Sequence, residues 1–336
     1  MLGLVSAVVA GPSSGRGITL AHQIPQSSLV FDDLNRFEAL ARTPSISDWV
    51  ARYLSGASAG LAAYMKTYNL TATDFERAIA ERPTFYRGLV GLRDRIKPQD
   101  RLVLRAMQRV RELAPRTPVV PVYFFVGTFG PGATVKEVTP QGGEGALGIL
   151  IPSEMVAITP ATDMSEFPEG RCGRGGASAL PQLVAHEYTH VAQVQLQGLE
   201  RYRSIYRPGP NTNIAYAVRE GTADFLSWLA SGQLRERHRY LLANEASLWP
   251  EFEAVLNQPV SNSSGWFSTP QGPRCERPVQ LGYALGWAIC KRYYESAQNK
   301  RRALEVLLSA VEPSDFEAII KPYRTGSTPS RDKIPM

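Results

Sequence analysis

The segment LVAHEYTHVAQ, residues 183–193, constrains the fold of this chain more than any other stretch. Leu183, Val184, Val191 and Val194 supply apolar neighbours around it, the pattern of a helix buried in a core. The same helix carries His186 and His190, two of only four histidines in the chain. Residues four apart on a helix share a face at roughly 6 Å, so both imidazoles can aim at one point. A buried polar group without a partner costs about 1–3 kcal/mol. The fold must therefore bring partners to these rings, either as core hydrogen bonds or as a shared ion. Glu187, one step round the helix, can reach a water on such an ion without being a ligand, which is the placement of a general base.

A second segment, NIAYAVREGTADFLSWLA at 213–230, reads as another buried helix. It holds Glu220 and Asp224 four apart among Ile214, Ala215, Ala217, Ala223, Phe225, Leu226 and Trp228, surroundings that suit poorly two acids facing solvent. The separation of 220 − 190 = 30 residues leaves room for one connection, GLERYRSIYRPGPNT, to turn the chain back. The two segments together resemble the gluzincin class of zinc metallopeptidases, in which a His-Glu-x-x-His helix is completed by a glutamate on a following helix. The resemblance implies Zn2+ held by His186, His190 and Glu220. It implies that Asp224 supports a ligand histidine and that Glu187 is the catalytic base. Three protein ligands leave a fourth position for water, as in catalytic rather than structural zinc sites.

Read in order, YFFVGTFGPGATV, GILIPSEMVA, HEYTHVAQ, REGTADFL, ANEASLWPEF and LGYALGWAICKRYY resemble a bacterial domain-of-unknown-function family of zinc-dependent proteases. That family includes proteins related to gliding-motility lipoproteins. The resemblance covers roughly 115–310, and the helical stretch from 29 more loosely. It implies a zincin-like catalytic domain acting on a peptide or protein substrate. Acyl transfer of this kind also wants a donor for the oxyanion. Tyr283 is the first candidate because glycines flank it, Tyr216 is second, and His238 in RERHRY is expected to be exposed. The segment GILIPSEMVAIT could offer a strand edge to an extended peptide.

The remaining pattern gives an α+β, mostly helical fold. LVFDDLNRFEAL, ISDWVARYL, TATDFERAIAE, PTFYRGLVGLRDRI and QDRLVLRAMQRVREL have helical periods, with aromatics on core faces. After Pro118 the period changes: VVPVYFFVGTF is a strand pattern, GPGATVKEV turns back with glycines, and GALGILIPSEMVAIT supplies one or two more strands. Helices then run to about 310, and the tail from Pro322 reads as disordered. The expected organisation is an N-terminal segment 1–20, a helical subdomain 21–115, a zincin-like domain with a small sheet 116–321, and a tail 322–336.

Composition narrows the function classes. The +6 net charge comes from scattered arginines such as Arg235, Arg237, Arg239, Arg301 and Arg302, a solvated surface and not a nucleic-acid footprint. Residues 2–10, LGLVSAVVA, resemble the apolar part of a secretory signal without its basic start; a loose N-terminal tail is the other reading. The first predicts a periplasmic or extracellular protein, the second allows a cytoplasmic one. No other apolar run is long enough to cross a bilayer. Cys172 and Cys275 lie in loops where they could meet, whereas Cys290 reads as a small buried hydrophobe. Two other functions compete with a peptidase. One is a zinc-containing, envelope-associated binding or assembly protein without turnover. The other is an amidase or deformylase with Cys172 as a ligand.

Overall fold

The structure is a computed structural model that describes residues 23–41, 46–139, 142–158, 162–167, 176–207, 209–261, 265–267 and 277–325. The apolar stretch 2–10 and both Cys172 and Cys275 lie outside the described residues. The fold is α+β and mostly helical, with one four-stranded mixed sheet. Strand β1 (Leu29–Val30) comes first, followed by helices α1 (Asp32–Leu40), α2 (Ile46–Ser55), α3 (Ala59–Tyr68), α4 (Ala72–Glu81), α5 (Pro83–Arg87), α6 (Leu92–Ile96) and α7 (Asp100–Leu113). Leu29 and Val30 therefore do not begin a helix. They pair in parallel with the strand that follows α7, and Phe31 stacks on its Phe124 at 4.6 Å. Helix α3 carries no clean sequence period. Gly60 lets it lie on the sheet, since a Cβ there would fall 2.2 Å from the Tyr123 ring.

The other strands are β2 (Val122–Phe125), β3 (Thr134–Val138) and β4 (Ala146–Pro152), in the spatial order β1-β2-β4-β3. β2 runs parallel to both β1 and β4, and β3 is antiparallel to β4. VYFF and most of ALGILIP are buried, as interior strands require, whereas TVKEV is half-exposed and suits an edge. This corrects two expectations. β4 is interior, and the edges belong to the two-residue β1 and to β3, which lies in the segment read as a glycine-rich turn. Residues Ser153–Val156 form a 3-10 turn and not a further strand.

The second half is built from α8 (Leu180–Gln197), α9 (Leu199–Ser204), α10 (Asn213–Ser231), α11 (Glu236–Glu253), α12 (Leu281–Ser296), α13 (Lys300–Ser309) and α14 (Pro313–Arg324). Pro181 opens α8, and Gly198 at φ 79° ends it, a positive φ that favours glycine. In α10 the Thr212 hydroxyl caps the first turn by accepting from Ala215 N–H at 3.3 Å, and Gly232 in the left-handed region closes the last. Helices α10 and α12 meet backbone to backbone: a Cβ on Gly286 would lie 1.8 Å from the Ala217 carbonyl oxygen. Gly282 likewise makes room for the Phe267 ring. The glycines flanking Tyr283 thus serve packing.

Two hydrophobic cores result. Leu34, Phe37, Tyr53, Phe125 and Ile149 belong to the first, together with Val184 and Tyr188 from α8. Phe225, Leu241, Phe252, Trp287 and Ile320 belong to the second. Each fully buried side chain of this size contributes roughly 1.5–3 kcal/mol through the apolar area taken from water. The first core crosses the 115/116 boundary drawn from the change of period, because β1 completes the sheet and α8 covers it. At the other end, helix continues beyond 310 and through Pro322. The last turn holds because Tyr323 packs on Trp249 at 4.7 Å and donates to Glu245, and Arg324 pairs with Glu253 and Glu317. Among the described residues, no helix is long and apolar enough to cross a membrane.

Candidate metal centre

α8 and α10 pack side by side and bring His186, His190 and Glu220 to one point. The Nε2 atoms of the two histidines are 3.2 Å apart, and each lies 3.3 Å from Glu220 Oε2. Among the described residues this is the one cluster of three His, Cys, Asp or Glu side chains close enough to share an ion. Its members are each 5% exposed.

The outer ring nitrogens decide which atoms face the centre. His186 Nδ1 sits 2.8 Å from Asp224 Oδ1, and an ionised carboxylate only accepts, so Nδ1 carries the proton. His190 Nδ1 lies 2.7 Å from Gln193 Oε1. The Gln193 amide nitrogen donates to the Arg219 carbonyl at 3.1 Å, which leaves its oxygen to accept from His190. Both Nε2 lone pairs therefore point at each other and at a carboxylate oxygen, on the wall of the cleft. Three converging acceptors repel unless a cation sits among them. Spacings of 3.2–3.3 Å are the edges of a tetrahedron whose centre is about 2.0 Å from each corner (edge divided by 1.63), which matches metal–nitrogen and metal–oxygen bonds. The residues present thus fit a metal ion. With only a proton to share, burial pushes the His186 imidazolium down, but Asp224 and Glu220 outweigh it and hold the pKa up to about 9. Burial works against the charged Glu220 too, and the two imidazoles keep its carboxyl well below the usual range.

Asp224 is fully buried and anchors more than one ring. Arg237, from the first turn of α11, grips it through Nε at 3.1 Å and Nη2 at 2.7 Å, and His238 Nε2 lies 2.9 Å from Oδ2. His238 is 0% exposed, which corrects the expectation of an exposed residue. Its Nδ1 accepts from the Arg235 backbone N–H at 3.1 Å, so the ring is a neutral linker. Burial, partly offset by Asp224, holds its pKa below the ordinary value.

Glu187 is 6% exposed and lines the same cleft, a cavity of about 900 Å³. Among the described residues it makes no hydrogen bond or ion pair. Burial pushes its carboxyl up, against the pull of the two histidines. Tyr283 stacks on His186 with ring centroids 6.0 Å apart, and its hydroxyl is shared with Tyr216. The hydroxyl bonded to a candidate ligand belongs instead to Tyr206, which donates to Glu220 Oε1 at 3.2 Å. Gln193 could have been found in the sequence, three residues after His190 on the same helix. Tyr206 and Arg237 carry no such local signal.

No protein-family model, curated protein or solved structure gives a significant match to this chain. The residues themselves therefore carry the functional argument.

Proposed function

We propose that this chain is a zinc metallopeptidase of the gluzincin kind, with a zincin-like catalytic domain. The observation that carries the reading is the convergence of three buried acceptor atoms at tetrahedral spacing, beside a buried carboxylate with no hydrogen-bond or ion-pair partner among the described residues. His186, His190 and Glu220 would hold the ion. Zinc in such a site supplies Lewis acidity, polarising a carbonyl and lowering the pKa of its water to about 7.

The chain's own groups do the rest. Asp224 and Gln193 hold the ligand imidazoles in the tautomer that presents Nε2. The Glu187 carboxylate accepts the proton of the attacking water and delivers it to the leaving amine. Tyr283 and Tyr206 are the hydroxyls available to the oxyanion, the first against His186 and the second on Glu220. β3 is an edge strand whose residues Thr134–Glu137 line the cleft, so an extended peptide can add to the sheet there. A small sheet with an antiparallel edge strand beside the ligand helices is what supports the zincin-like assignment.

Glu187→Gln tests the reading: zinc stays stoichiometric by elemental analysis while hydrolysis of casein is lost. His186→Ala loses the metal. Zinc bound by the wild type without cleavage of any member of a peptide library would favour the binding or assembly protein instead.

A further inference from the structure

The N-terminus of α11 lines the cleft with Arg235, Arg237 and the exposed Arg239, and the fold treats the first two differently. Arg237 is committed to Asp224 through the Nε and Nη2 edge of its guanidinium. Arg235 lines the same cleft, yet its own Nε and Nη2 are shut off from solvent with no hydrogen-bond partner among the described residues. It has no ion pair or ring contact among the described residues. Buried donors are nearly always paired, so each one that is not calls for an explanation.

Other arginines with a bare Nε show what compensation looks like. Arg82 donates to Glu81 at 2.8 Å and lies 5.6 Å from the Phe167 ring. Arg219 donates to the Tyr202 carbonyl and to Gln197 Oε1, both at 2.9 Å, and stacks 4.1 Å from the Tyr202 ring. Arg235 has no equivalent. Burial, with repulsion from Arg237, pulls its pKa down to about 10 against the attraction of Asp224 and Glu187. Asp224 is already paired with Arg237, and Glu187 makes no hydrogen bond or ion pair with Arg235. The two bare atoms form one edge of the guanidinium, the edge that meets a carboxylate by two parallel N–H···O bonds once the side chain turns it into the cleft. Arg237 displays that same contact with Asp224 13 residues away. Lys136 on β3 adds a second cation to the cleft, half-buried and in no ion pair among the described residues.

We propose that Arg235 is a subsite for a substrate carboxylate, so that the cleft selects peptides carrying an anionic group next to the bond presented to Glu187. That the anion belongs to a peptide rests on the peptidase reading. The carboxylate is either an acidic side chain or a free C-terminus, and the two sources call for separate probes.

The test uses the full chain with Glu187→Gln, which prevents cleavage, and three fluorescein-labelled peptides of one sequence. The first is neutral with an amidated end, the second has a central Glu, and the third has a free C-terminal carboxylate. By fluorescence anisotropy one of the charged peptides binds about tenfold tighter than the neutral one. Preference for the Glu peptide makes the subsite a side-chain reader; preference for the third makes it a terminus reader. Added Arg235→Gln abolishes the preference. Arg235→Lys keeps the charge but not the fork, and loses most of it even if the Gln variant fails to fold by circular dichroism. Equal binding of all three peptides overturns the proposal, as does a preference unchanged in Arg235→Lys. Binding is read without turnover. An Arg235-dependent preference in a protein whose wild type cleaves nothing leaves the subsite standing and removes the peptidase; cleavage without any preference does the reverse.

Discussion

The two cores differ in how they use buried polar groups near the cleft. In the first, side chains are tied to backbone. Tyr53 donates to the Val126 carbonyl at 2.9 Å and accepts from its N–H at 3.0 Å, Tyr86 donates to Gly127 at 3.0 Å, and Tyr64 donates to Pro131 at 2.6 Å. Glu154, 0% exposed, accepts from the N–H groups of Gly127 and Phe129, where the chain takes a φ of 62°. All of these hold one segment, 126–131, which delivers the chain to the edge strand β3. The second core also ties side chains to backbone, as Gln193 and Arg219 do, but adds a buried cluster in which charged side chains meet one another. His186, Arg237 and His238 all converge on Asp224. Burying ions is costly, and a well-packed apolar core needs none of them. The first region spends its polar groups on shape, and the second keeps charge where the cleft needs it.

The largest expected effect follows from the second arrangement. Asp224→Ala leaves the Arg237 guanidinium buried without its carboxylate and His186 without its acceptor. Urea denaturation with a chelator present should show a loss of about 3–5 kcal/mol. Zinc affinity, measured by competition with a chromophoric chelator, should fall about 10–100-fold. A stability loss under about 1 kcal/mol would mean that the region does not depend on this carboxylate, and the contrast between the cores would fail.

The site was legible where its logic is local. His186, Glu187 and His190 share one helix and Glu220 and Asp224 another, and in both cases apolar neighbours at helical spacing announce burial. What escaped depends on how distant segments meet. RERHRY is dense in charge and reads as surface, because nothing near it in sequence says that Asp224, 13 and 14 residues earlier, will draw Arg237 and His238 inward. Tyr206 lies in a connection that looks like a spacer. β1 is two residues long, too short for any period, and exists because β2 offers it hydrogen bonds.

A middle-sized effect sharpens the comparison from the first core. Tyr53 is 0% exposed, and Tyr53→Phe removes a hydroxyl that serves both the N–H and the carbonyl of Val126. Leaving those buried groups unpaired should cost about 1–3 kcal/mol in urea. Zinc stoichiometry should not change, because the hydroxyl holds a strand connection and not a ligand. Loss of metal in this variant would show that the two regions are not separable.

The smallest effect asks whether a carboxylate in the first region also acts on backbone. Glu166 accepts from the N–H groups of Thr84 and Phe85 at 2.8 and 2.9 Å, at the start of α5, where the helix leaves donors bare. Burial opposes its charge, but these two N–H groups win and hold its carboxyl below the usual range. A depressed folded-state pKa stabilises the fold above the unfolded value, about 4.3 for glutamate, and that contribution disappears as pH falls through the folded value. Glu166→Ala should therefore lower stability by about 1 kcal/mol or less at neutral pH. The gap between wild type and variant should stay constant from neutral pH to about pH 5 and close as the pH is lowered further. A gap that widens on acidification would reverse the sign of the linkage and mean that the fold disfavours the Glu166 charge.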